Sequence, residues 1–191
     1  MENTTSSAPY RVDKTFWDDL RFQITTLATG GTPPDPGTFG PSGNIRCYLF
    51  DGAATLEAVE GSVQMPHAWK TGTAIYPHVH WAPTTTGLGN VIWQLDYYWL
   101  GFGEAASGAP TTIAASATPA QGAPMGTAWK HMINSFSGIT PTTQGISSIL
   151  MFRLFRDPAN GGDTYGDDAA LMAFDVHYQI DSFGSFEEYV K

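Results

Sequence analysis

The sequence is poor in cysteine, in basic residues, in charge of either sign and in long apolar runs, and each shortage excludes something. Its one cysteine, Cys47, has no partner for an internal disulfide. Cys47 lies in an apolar alternation with Ile45 and Leu49, the setting of a buried, inert thiol rather than a nucleophile. Nine Lys and Arg stand against eighteen Asp and Glu, a net charge of −9. The basic residues are scattered, and nothing here could neutralise a run of phosphates, so nucleic acid is not expected as a partner. Charged residues total 14%, well under the usual quarter or so. The surface must therefore be dressed with Thr, Ser, Asn, Gln and Gly. No apolar run approaches the ~20 residues of a membrane-spanning helix. The opening MENTTSSAPY has no basic region followed by an apolar one, so no signal peptide and no membrane partner are expected.

What is present reads as one packed domain. Apolar residues make up 42% and aromatics 13%, which argues against disorder. A chain of 191 residues buries roughly 70% of its unfolded surface. Period-two alternation dominates. Residues 73–81 put Ile75, Pro77, Val79 and Trp81 on one face and Tyr76, His78 and His80 on the other. Residues 90–100 group Val91, Trp93, Leu95, Tyr97 and Trp99, and residues 171–181 group Met172, Phe174, Val176, Tyr178 and Ile180. This is the pattern of strands with one buried face. Residues 45–51, 55–65 and 146–156 repeat it less cleanly, and weaker strands fall near 16–27 and 111–117. About eight antiparallel strands and no helical period predict an all-β, two-sheet, jelly-roll-like sandwich. Residues 1–12 read as a mobile arm and 13–191 as the domain. Two long loops, the Pro/Gly-rich 28–44 and the Gly/Ala/Pro-rich 101–128, interrupt it. With Glu104 as its lone charge and Ile113 and Met125 apolar, the second loop is expected to pack on a neighbour.

The sharpest chemical signal is Pro77-His78-Val79-His80-Trp81. Two histidines at i and i+2 on a strand share a face, so both imidazoles can reach one ion. With Gly72 the run resembles the first half of the cupin metal motif, but residues 81–90 carry no carboxylate where a cupin has Glu. His177 could supply a third ligand from another strand. A metal at His78, His80 and His177, within a chain or shared between subunits, stands beside the plainer reading of hydrogen-bonded surface histidines. The loop Asp157 to Asp168, with Asp163 and Asp167, could gather calcium or simply form Asx turns. The acids Glu57, Glu60, Asp96 and Asp175 could serve a glycosidase, but the sequence does not pair them. Six Trp and eight Tyr exceed one core's needs, and such residues serve protein contacts or stack on sugars.

Several stretches together carry a resemblance: Trp17 to Phe22, Gln64 to Lys70, Pro77 to Trp81, Gly89 to Trp93, Asp163 to Gly166, Phe174 to Tyr178 and Gly184 to Lys191. As a set they resemble small virion-associated proteins of tailed bacteriophages and prophages. The resemblance implies a structural protein of the virion, made in the bacterial host cytoplasm: a capsid decoration, head-fibre or tail-associated protein. It implies contacts with other virion proteins and a homo-oligomer, a trimer first. It carries no catalytic residues. A cupin-like metal enzyme using His78 and His80, and a carbohydrate-binding β-sandwich module, are the alternatives.

Overall fold

The computed structural model describes residues 11–23, 27–53, 56–116, 126–189 and 191. It contains eleven strands: β1 (Arg11–Gln23), β2 (Ala28–Thr29), β3 (Asp35–Phe39), β4 (Ile45–Phe50), β5 (Ala58–Gln64), β6 (Tyr76–Pro83), β7 (Trp93–Leu100), β8 (Thr111–Ala114), β9 (Met132–Ser135), β10 (Ile149–Arg156) and β11 (Ala169–Ser182). There is no helix among the described residues. Most of the expected N-terminal arm lies outside the described residues, and its last two residues already belong to β1.

The strands form two antiparallel sheets. The first runs β3-β4-β11-β6-β9, with β1 also paired to β11; the second runs β2-β5-β10-β7-β8. Setting aside the N-terminal strands β1, β2 and β3 leaves eight, in the orders β4-β11-β6-β9 and β5-β10-β7-β8. Successive strands cross between the sheets except at the β7–β8 hairpin, which is the double Greek key of a jelly roll. The expected sandwich is therefore the observed one, but its membership differs. β9 was not anticipated, because its buried Asn134 interrupts the apolar pattern. The Pro/Gly loop 28–44 contains β2 and β3, both at sheet edges, where proline is tolerated.

The core between the sheets is aromatic. Trp81, Trp93, Phe50 and Phe174 are at most 1% exposed. Phe152 packs between Phe22 and Phe174, at ring distances of 4.9 and 4.6 Å. The alternation of β6 and β7 holds as expected, whereas β11 carries a correction. Its pairing with β6 shifts register between Leu171 and Ala173, an irregularity that re-aims side chains. Leu171 is fully buried and Met172 half-buried, the reverse of strict alternation. Cys47 is buried, and burial pushes its thiol up, away from the reactive thiolate. Within residues 101–128, Thr111–Ala114 pair with β7, as the expected weak strand near 111–117, and half-buried Ile113 packs against the core. Met125 lies outside the described residues.

Acids gather where β4 and β5 meet the turn before β11, and Glu57 among them is buried. Glu57 accepts the Asp51 backbone N–H at 2.7 Å. Burial, then the charges of Asp51, Asp35 and Asp168, raise the Glu57 carboxyl against that hydrogen bond. Burial likewise raises Asp168. A carboxyl raised on folding favours the native state when protonated, and that benefit is lost as pH rises through its folded pKa. Glu57→Gln is therefore expected to raise the melting midpoint at pH 7, with the gain shrinking on acidification. Melting curves of both proteins between pH 4 and 7 check this, and a gain that grows toward acid would contradict it.

Candidate functional site on the outer face of the first sheet

The register of the first sheet brings four of the five histidines to one place. On β6, inward Val79 and Trp81 turn His78 and His80 outward. Asp175 on β11 pairs with His78, and His177 pairs with Tyr76. On the other side of β11, Asp19 of β1 pairs with His177 and Trp17 with Gln179. Directly opposed residues on one face of adjacent strands have touching side chains, so these form a continuous patch. His131, just before β9, adds the fourth imidazole.

Asp175 is the centre of the patch, and sequence reasoning gave it no such role. Its side chain is 9% exposed. His80 Nε2 lies 3.2 Å from Asp175 Oδ2, and His80 Nδ1 lies 2.8 Å from His131 Nε2. His177 Nε2 is 3.4 Å from Asp175 Oδ2 and 3.1 Å from Asp19 Oδ1. His78 Nδ1 faces Asp175 Oδ1 at 3.7 Å, beyond hydrogen-bond reach. Those last two buried atoms have no hydrogen-bond partner. Ring centroids of His78 and His177 are 4.0 Å apart.

The electrostatics follow from this crowding. Burial, then repulsion from His177, lowers the His78 imidazole despite the pull of Asp175. Burial, then His80, lowers His131 as well. Burial would raise Asp175, but the hydrogen bond from His80 and the charges of His80, His177 and His78 outweigh it and hold the carboxyl below its usual range. The patch therefore sets a carboxylate held below its usual range beside four imidazoles, groups that can act as lone-pair donors. All three expected ligands are here: His78 lies nearest Asp175 Oδ1, while His177 and His80 both approach Oδ2.

The other sequence candidates do not join this patch. Glu60 and Asp96 belong to the second sheet and flank Arg153 by register. Asp96 is held by Arg153 and by Thr112 at 2.6 Å. Asp175 is thus not paired with them in a glycosidase arrangement. The acidic loop 157–168 has an occupant already. Asp163 grips Arg156 through both oxygens, at 3.0 and 2.8 Å. Asp157 accepts from Gln94 and Asp167 from Thr85, each at 2.6 Å. The Arg156 guanidinium organises the loop around Asp163.

One further constellation was not anticipated. His67 lies between two hydroxyls, Ser185 Oγ at 2.6 Å from Nδ1 and Ser147 Oγ at 3.2 Å from Nε2. Ser185 donates to the Glu187 carbonyl, so its oxygen accepts from Nδ1–H and Nε2 accepts from Ser147. No sequence spacing signals a contact between residues this far apart.

No family model matches the chain, and no curated protein matches it. Among solved structures, it is similar to the CBM35 from Cellvibrio japonicus Abf62, at 13% identity and a TM-score of 0.42, over 86% of this chain and 99% of that one.

Proposed function

We propose that the domain is a non-catalytic binding module whose ligand is a glycan, held on the outer face of the first sheet. One observation carries this reading: Trp17 is 56% exposed and meets Tyr76 edge-to-face at 5.5 Å, directly beside the polar row of Asp19, His177 and Gln179. An exposed indole offers a rigid apolar plate at little entropic cost, which suits the C–H face of a sugar ring. Neighbouring carboxylate, imidazole and amide groups suit its hydroxyls.

A glycan array followed by calorimetry tests the reading. Trp17→Ala is expected to weaken binding at least tenfold, about 1.4 kcal/mol, with an unchanged melting midpoint because the ring is half in solvent. No glycan bound at millimolar concentration, or equal binding by the variant, would refute it.

A second reading has its own support. Phe102, Phe183 and Phe186 are 84, 85 and 71% exposed, and Tyr189 is 55%. Phe102 stacks on Tyr189 at 5.3 Å. Large apolar side chains left in water suit a protein that works by contact with other proteins, as a structural component of a phage particle would. Locating the protein in assembled particles by electron microscopy tests it.

A further inference from the structure

We infer that three residues, His78, Asp175 and His177, form a site for one divalent transition-metal ion of the zinc class, with solvent as the fourth ligand. This goes beyond glycan binding and does not depend on it. Each residue offers one ligand atom, and these atoms lie within 4.8 Å of one another. Around tetrahedral zinc, with bonds of 2.0–2.2 Å, donors sit roughly 3.3–3.5 Å apart. The observed separations approach that edge: 3.7 Å between His78 Nδ1 and Asp175 Oδ1, and 3.4 Å between His177 Nε2 and the same carboxylate's Oδ2.

The independent observation is the pair of orphaned atoms. His78 Nδ1 and Asp175 Oδ1 are buried, face each other and hydrogen-bond to nothing. A buried polar atom without a partner costs about 1–3 kcal/mol, more when charged, so two at one point need explaining. One cation between them satisfies both. Nothing about strand packing requires the arrangement, since Phe174 and Val176 on either side of Asp175 already fix β11 in the core.

The ligand chemistry selects the ion. Two imidazoles and carboxylate oxygens suit zinc, copper or nickel better than calcium or magnesium, which prefer all-oxygen shells. His80 takes the outer position: it bonds Asp175 Oδ2 at 3.2 Å and orients the carboxylate, as partners behind metal ligands do. His131 touches His80 and is not a ligand.

The test is zinc calorimetry on the tag-free, chelator-treated chain, with metal content measured after dialysis. One equivalent of zinc is expected. Asp175→Asn and His78→Ala should each weaken binding about a hundredfold, and His131→Ala should leave it unchanged within about threefold. Cobalt in place of zinc should give the intense visible absorption of a tetrahedral site. Zinc should raise the melting midpoint of the parent chain but not of Asp175→Asn, a variant that keeps the carboxylate's shape. Absence of stoichiometric binding overturns the site. So does equal affinity in Asp175→Asn, or a large loss in His131→Ala. None of these readouts involves sugar, so the site and the glycan reading fail separately.

Discussion

Arg156→Met is expected to destabilise the domain by about 3–5 kcal/mol. The Arg156 side chain is 1% exposed and that of Asp163 2%. All five guanidinium N–H donors are used: two on Asp163, and the others on the carbonyls of Phe50, Asp167 and Tyr165. Methionine fills much of the volume but leaves three carbonyls short of a donor and one carboxylate buried with no counter-ion. Asp163 keeps the Ile92 backbone N–H at 2.9 Å, which does not compensate for the lost charge. Adding Asp163→Asn should recover part of the loss, since it removes the stranded charge. Denaturant unfolding of the two single variants and the double variant measures the coupling. A cost under about 1 kcal/mol for Arg156→Met would mean that the loop is organised by something else.

Phe174→Ala is the second large effect, at about 3–5 kcal/mol. The ring is fully buried and is shared by both sheets. It meets Phe152 of β10 at 4.6 Å, Phe22 of β1 at 5.6 Å and Phe136, just beyond β9, at 6.5 Å. Four chain segments would line the cavity, and close-packed aromatics relax poorly into such a space. For a domain this size the melting midpoint should fall by roughly 10 °C. A fall under about 2 °C would contradict the burial and the register of β11 with it.

These two residues also mark what the sequence could and could not disclose. Phe174 was legible because strand burial repeats every second residue, and the same rule exposed the cores of β6 and β7. The rule failed where geometry departs from it: at the irregularity that swaps Leu171 and Met172, and at β9, where Asn134 is buried to accept from the Trp81 indole at 2.5 Å. Arg156 could not be foreseen as a core residue, because its five acceptors are carbonyls and one carboxylate that the fold gathers from the end of β4 and the loop 157–168. The site divides in the same way. His78 and His80 announce themselves by spacing on one strand. Asp175 and Asp19 reach them through the register of β11 with β6 and β1, and His131 through that of β9 with β6; those registers are fixed by side chains on the opposite face. The aromatic surplus was legible as a count, but not as the placement of Trp17 against Tyr76.

The long strand β11 has a consequence for how the chain comes to be folded. It pairs with β6 along one side, and with β4 and then β1 along the other. It is also synthesised after every strand it pairs with. A ribosome making this protein therefore releases β5, β7 and β10, which can pair among themselves, before β1, β4 and β6 receive the strand that joins them. For that interval the inner face of the second sheet, with Trp93, Leu95, Leu150 and Leu154, has no lid. Such distant pairing makes folding slow and leaves sticky intermediates. Chains stalled before residue 169 should be the species that chaperones hold and that overexpression precipitates.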